Sequence, residues 1–316
     1  MSGITPENMQ IIRSMAKLNS PAAAGSAISI GKFDGLHRGH VRLVDELLKK
    51  KRQGLYSIVV CISPQPGFSV CTANEKRLLT ESEMEERLSS LGLDMLIYYP
   101  LDAETKNTVA GDFVREFLLK HLAMAYICAG PDLSFGAGGE GNCALLSTMA
   151  KEYGFSAHIV AKLRHDGKEI SSSLVRCAIE RGDMGLAAAL LGYPYYMGGK
   201  VQRGKSLGHK LGFATANLIW PGEKVLPPNG VYLSQTMTPE GPMRSISNIG
   251  INPTTDGLSH PRLETYIYDY AGDLYDKAIK VELLKFIRKE QAFSDAAALQ
   301  AQVMKDIEYG RTWGVS

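Results

Sequence analysis

The feature that most constrains this chain is a change of texture near its middle. Between residues 27 and 163, short apolar runs rich in β-branched residues alternate with segments of helical periodicity. Residues 27–31 (AISIG), 56–63 (YSIVVCIS), 95–101, 125–130 and 156–163 read as strands, and 40–53, 81–90, 111–121 and 142–153 as helices. Strands separated by helical stretches make βαβ crossovers, so this half is expected to form a mostly parallel, doubly wound, Rossmann-like α/β sheet. Residues 174–191 are helical with an interruption at Arg181-Gly182-Asp183. After Gly192 the runs 195–202, 231–235, 244–249, 262–270 and 278–284 follow one another with Gly and Pro between them and no helices. That pattern predicts a small antiparallel β-barrel. Ala298, Leu299, Gln302, Val303 and Ile307 then recur at near-helical spacing, so a helix over 295–309 closes the domain. The expected division is 1–184 and 185–316, with no internal repeat.

Composition excludes several classes. The 316 residues carry 35 Lys+Arg against 33 Asp+Glu, and neither half holds a dense basic field, which argues against nucleic acid as the main partner. The basic run Lys49, Lys50, Lys51, Arg52 ends an amphipathic helix, where cations suit the dipole. No run approaches the roughly 18 apolar residues of a membrane span, and no secretory pattern precedes residue 20. Five scattered cysteines without a CxxC pair fit a reducing compartment, so a cytoplasmic location is expected.

The segment Gly31-Lys32-Phe33-Asp34-Gly35-Leu36-His37-Arg38-Gly39-His40 lies between the first predicted strand and the first predicted helix. Glycines permit a sharp turn and close approach to a phosphate, and a helix start offers N–H groups to an anion. His37 and His40, three apart, fall on one side of the first turn, where two donors would face charge growing on an α-phosphate. Two other readings stay open: the histidines serve only to cap the helix, or they bind zinc, for which no third ligand lies near in sequence. Further on, Gly130-Pro131-Asp132-Leu133-Ser134-Phe135-Gly136 follows a strand, and Ser171, Ser172 and Ser173 precede Arg176 at a helix start. Such hydroxyls cap the helix or meet a triphosphate, and an arginine one turn inside can neutralise phosphate charge.

In the second half, Gly204, Gly208 and Gly212 recur at four-residue spacing before Thr215-Ala216-Asn217. The glycine amides are candidates to surround phosphate oxygens. In an extended segment Thr215 and Asn217 share a face, and a hydroxyl with a carboxamide suits a hard cation whose other ligands are phosphate and water. Residues 247–254 (SNIGINPT), Glu264 in 262–270 (RLETYIYDY) and 283–293 (LLKFIRKEQAF) complete the set.

With these pieces the chain resembles the prokaryotic bifunctional riboflavin kinase/FMN adenylyltransferase (FAD synthetase) family from about residue 27 to 311. The His-x-Gly-His signature is that of the nucleotidyltransferase superfamily, and 204–218 looks like the riboflavin kinase loop. The resemblance implies MgATP-dependent phosphorylation of riboflavin to FMN, then adenylation of FMN to FAD and pyrophosphate. It implies His37 and His40 as catalytic in the first reaction centre. Gly31, Phe33, Asp34, Gly35, Gly39, Asp132, Ser171, Ser172, Ser173 and Arg176 would bind nucleotide there. In the second centre it implies Gly204, Gly208 and Gly212 around nucleotide, Thr215 and Asn217 on Mg2+, Glu264 as base, and Arg288 and Phe293 at the flavin. The chain departs from the family at Ser63 and Gln65, where an acidic residue and a Pro-His-Pro histidine are usual, and at Ser134, His209 and Ala214. An alternative expectation is therefore a riboflavin kinase whose adenylyltransferase half is impaired or repurposed, and a third is a flavin- or nucleotide-sensing protein without turnover.

Overall fold

The computed structural model describes residues 9–15, 18, 25–64, 76–102, 105–202, 215–252 and 260–313. By contact density the chain forms two units, Met1–Glu75 with Glu81–Ser171, and Lys76–Thr80 with Ser172–Ser316.

The first unit is built on β1 (Gln10–Ile12), β2 (Ser26–Gly31), β3 (Tyr56–Pro64), β4 (Met95–Leu101), β5 (Met124–Ala129) and β6 (Ser156–Ile159). Their spatial order is β1-β4-β3-β2-β5-β6, and every pairing is parallel. Helices α1 (Arg38–Lys51), α2 (Glu81–Leu91), α3 (Ala110–Asp112) and α4 (Cys143–Tyr153) intervene. Phe113–His121 continues from α3 as a π-helix, within the helix expected over 111–121. Ile28, Ile58 and Ile97 on the central strands pack with Val114, Leu118 and Leu146 from the helices. Burial on both faces is why these strands read as continuous apolar runs. After β2 the chain winds outward through β3 and β4, then returns to place β5 and β6 on the other side of β2. That reversal between β2 and β5 is the switch point at which open α/β sheets leave a crevice beyond their carboxyl ends.

Two elements here were missed. The three residues of β1 are too few for a periodic signal. The strand expected over 156–163 ends at Ile159, and a hairpin of β7 (Arg164–His165) and β8 (Lys168–Glu169) follows it. The lysines closing α1 serve the fold, as expected: Lys49 pairs with Glu46 at 2.7 Å and Lys51 with Asp94 at 2.6 Å.

The second unit begins with α5 (Ser172–Glu180) and α6 (Met184–Leu191), separated at residues 181–183 as the sequence predicts. Its sheet comprises β9 (Tyr195–Lys200), β10 (Thr215–Ile219), β11 (Gly230–Thr238), β12 (Gly241–Asn252), β13 (His260–Ile267) and β14 (Ala278–Lys289). The order is β10-β13-β12-β11-β14-β9, all antiparallel. A bridge from the Gln202 N–H to the Asn217 carbonyl (2.8 Å) joins the two edges and curls the sheet into a barrel. Helix α7 (Ala296–Thr312) starts with the Asp295 carboxylate accepting from the Ala298 N–H at 2.8 Å. Ile307 then packs against Val231, Ile246 and Tyr268.

Candidate functional site

At the switch point, the turn after β2 holds Phe33 and Leu36 at φ of 51° and 38°, a left-handed conformation that costs side-chain-bearing residues roughly 1–2 kcal/mol each. Both side chains are fully buried, and that burial holds the turn in place. Gly35, at φ 80°, sits between them. The turn delivers His37 as the N-cap of α1, its Nδ1 accepting from the His40 N–H at 3.3 Å. The capping reading is thus true of His37, yet capping does not exhaust it. With Nδ1 accepting, the neutral ring carries its proton on Nε2, which remains a donor.

The rings of His37 and His40 stack with centroids 3.7 Å apart and 14° between planes, and Phe33 lies against His40 at 5.2 Å. Burial lowers the His37 pKa to about 4, opposed by the Asp132 carboxylate. Burial, and then the neighbouring His37, take His40 well below its usual range. Both rings are therefore neutral at pH 7, each with one proton to donate. The Nδ1 of His40 is buried with no hydrogen-bond partner among the described residues.

Asp132, after β5, pairs with Lys162 at 3.2 Å, and Lys162 also meets Glu169 at 3.1 Å. These residues, with Pro131, Ile159 and Ala161, line a cavity of about 530 Å³ beyond the ends of β5 and β6. The glycines after Asp132 serve packing: a Cβ on Gly136 would lie 2.7 Å from Ala110, and one on Gly141 2.6 Å from the Phe135 ring. The Ser134 hydroxyl donates to the Gly139 carbonyl at 3.2 Å. Ser171 closes the first unit, while Ser172, Ser173 and Arg176 belong to the second. The Arg176 guanidinium donates to the Lys76 carbonyl at 3.1 and 3.3 Å, within a segment that also pairs Arg77 with Lys224.

The second unit brings Thr215, Glu264, Arg288 and Phe293 to the wall of one cavity of about 440 Å³ between the barrel and α7. Strand register does this. Asn217 stands opposite Glu264, and Glu264 stands opposite Asn248, a row of three polar residues across three strands. Asn217 is 8% exposed, and its Nδ2 donates to the Thr215 carbonyl at 3.4 Å. Among the described residues no cluster of three His, Cys, Asp or Glu could hold a metal by itself. The hydroxyl and carboxamide instead suit a hard cation shared with phosphate. Thr215 also borders a second pocket of about 300 Å³, lined by Thr265 and by residues 270–275. Gly204, Gly208 and Gly212, like Gln65, His209 and Ala214, lie outside the described residues.

Inside the barrel, five buried hydroxyls form one chain. Thr236 donates to Ser245 (2.9 Å), Ser245 and Ser234 meet at 2.8 Å, Ser234 and Ser247 at 2.7 Å, and Ser247 donates to Thr265 at 2.9 Å. Each hydroxyl has one proton, so with both ends fixed the two middle protons point the same way. The Ser247–Thr265 pair adjoins the Asn248–Glu264 pair and fixes its register.

Sequence reasoning missed what Arg288 does. Its Nε donates to both oxygens of Asp306 on α7 at 3.1 Å, Gln302 holds the same carboxylate at 3.0 Å, and its Nη1 reaches the Lys289 carbonyl. The guanidinium is committed to the helix, so its place in the cavity wall is set by that fork. Asn248, Tyr266 and Glu290 line the same cavity and were not singled out as site residues. Period-two spacing from Arg288 pointed to Glu290.

The comparisons with known proteins match this division of labour. A FAD synthetase family model covers residues 19–174 and a riboflavin kinase model residues 191–313. The bifunctional riboflavin kinase/FMN adenylyltransferase of Escherichia coli K12 is 35% identical over 301 residues, 94% of this chain and 96% of its own. That of Haemophilus influenzae is 31% identical, covering 96% and 99%. A crystal structure from Streptococcus pneumoniae, named a macrolide-efflux protein, superposes with a TM-score of 0.84 at 26% identity over 96% of this chain and 99% of that one. Two family matches in this order, and relatives aligned over nearly the whole chain, place it in the bifunctional riboflavin kinase/FMN adenylyltransferase family.

Proposed function

We propose that this chain phosphorylates riboflavin with ATP in its second unit and adenylates the resulting FMN with a second ATP in its first, giving FAD and pyrophosphate. The observation that carries the kinase half is the position of Thr215. It borders both the cavity that holds Glu264 and the neighbouring pocket of residues 270–275. A flavin in the first and a nucleotide in the second would meet beside Thr215 and Asn217. Those two residues would hold Mg2+, which when bound neutralises phosphate charge. Glu264 accepts the proton of the ribityl hydroxyl as its oxygen bonds to the γ-phosphorus and ADP leaves.

In the first unit the neutral, stacked histidines at the switch point are the group that would meet the α-phosphate of ATP. Their N–H donors stabilise charge there without the desolvation cost of buried cations. The FMN phosphate oxygen bonds to the α-phosphorus and pyrophosphate leaves. Asp132, with Lys162, edges this centre. The roles of Gly31, Phe33, Asp34, Gly35 and Gly39 follow from the turn they form.

A functional division at 184/185 is part of the same proposal; it lies between the family matches at 19–174 and 191–313 and thirteen residues beyond the contact-density division at Ser171/Ser172. Among the described residues no helix is long and apolar enough to cross a membrane. A cytoplasmic location and small-molecule partners, without nucleic acid, belong to the same proposal, supported by thiols such as Cys128 buried in the core. The test is incubation of the purified chain with riboflavin, ATP and Mg2+, with flavins separated by chromatography. FMN followed by FAD is expected. Absence of FMN overturns the kinase half, and FMN that never becomes FAD overturns the transferase half.

A further inference from the structure

Glu290 belongs to none of the roles assigned so far, yet the barrel makes room for it. Asn248 stands opposite Glu264 in the strand register, and its Nδ2 donates to Glu290 Oε1 at 3.3 Å. Two residues along β12, a Cβ on Gly250 would come within 2.2 Å of that same Glu290 oxygen and 3.2 Å of Asn248 Nδ2. A side chain at 250 would displace the Glu290 carboxylate from Asn248.

With Nδ2 turned to Glu290, the remaining polar atom of Asn248 is its acceptor oxygen. The part of the cavity holding Glu264 therefore presents two carboxylates and an amide oxygen. The guanidinium among its described lining residues, Arg288, is forked onto Asp306, itself another lining carboxylate. Among the described lining residues acceptors are in excess, and such a set receives hydroxyl donors and repels a phosphate dianion.

The geometry points to Glu290 as a specificity-determining residue that, through its charge and its hold on Asn248, makes the kinase cavity accept a flavin bearing a free hydroxyl chain and reject the same flavin once phosphorylated. This rests on the kinase reading of the second unit, and deepens it by naming what separates substrate from product.

The test uses the full chain and initial rates of ADP formation, because the kinase step releases ADP whereas adenylyl transfer releases pyrophosphate. Riboflavin is varied with and without added FMN, in the unaltered chain and in Glu290→Gln, which keeps an acceptor for Asn248 and removes the charge. The inhibition constant for FMN is expected to fall about fivefold relative to the KM for riboflavin, the discrimination between the two flavins being what the charge sets. An unchanged ratio of the two constants overturns the inference and leaves the kinase reading standing. Absence of ADP from the unaltered chain overturns both. Should Glu290→Gln lose its cooperative thermal transition, the unaltered chain decides. A roughly tenfold rise in ionic strength should screen the repulsion and lower the FMN constant relative to the riboflavin KM. No change in that ratio with salt is equally fatal.

Discussion

The two centres solve the same problem, handling phosphate, with opposite materials. In the first unit the parallel sheet supplies a crevice and a helix start, so the binding elements are backbone and two rings placed by a strained turn. In the second, antiparallel register supplies rows of side chains, and the groups proposed to work there include a carboxylate set between two carboxamides across three strands. The first centre is made of neutral donors and the second of acceptors. A parallel sheet concentrates function at strand ends, where chain reversal leaves backbone groups open. A curled antiparallel sheet carries it across its faces, where each residue has a fixed partner opposite.

The largest break between the two should come from His40→Asn. Removing one of the stacked rings is expected to slow FAD formation from FMN by about 10³–10⁴-fold. FMN formation from riboflavin should stay within about twofold, as its centre lies in the other unit. Equal loss in both reactions would dissolve the separation drawn here. The reciprocal change, Glu264→Gln, should lower kcat for FMN formation by about 10³-fold and spare FAD formation from supplied FMN, read by the same chromatography.

A smaller effect tests how the acceptor-rich centre is held together. Asp306→Ala removes the carboxylate onto which Arg288 is forked and leaves it only the Lys289 carbonyl, and the pair is mostly buried, with side-chain exposures of 22% and 9%. Unfolding of the second unit in urea should ease by about 3 kcal/mol, chiefly because a cation is left without its partner. The KM for riboflavin should rise as well. A change in stability with no change in KM would make the Arg288–Asp306 fork a strut and nothing more.

Much of this contrast is legible in the residues alone. The βαβ alternation, the change of texture after Gly192 and the turn from Gly31 to His40 rest on local pattern, which period and glycine placement report directly. Thr215, Asn217 and Glu264 were also visible, since period two puts the first pair on one face. What was hidden are pairings between distant segments. Nothing local says that Arg288 on a strand meets Asp306 on a helix, although an aspartate beside Ile307 on the apolar stripe of α7 signals a buried partner. The three residues of β1 join the sheet only because β4 offers an edge. The π-helical winding of residues 113–121 leaves the apolar spacing almost unchanged, so periodicity does not distinguish it from α-helix. That His37 caps its own helix while keeping a donor follows from one side-chain angle, which no spacing encodes.

The mildest prediction comes from the neutrality of the histidines, and has a definite sign. His37 titrates at about 4 in the folded protein and near 6.5 when unfolded. Below 6.5 the unfolded chain takes up a proton that the folded ring refuses, so protons favour unfolding until the folded ring also titrates. Stability of the first unit should therefore be greatest above pH 6.5 and decline by about 2–3 kcal/mol as the pH falls to 4, levelling off below. The second unit carries no such ring in its described centre, so a urea titration monitored in each unit separately should show the pH slope in the first alone. His37→Asn should reduce that slope without abolishing it, since asparagine accepts at an N-cap without titrating while His40, also held below its usual range by burial, still does. A slope of unchanged steepness in His37→Asn would mean that other groups carry it, and that this ring is not held neutral by burial.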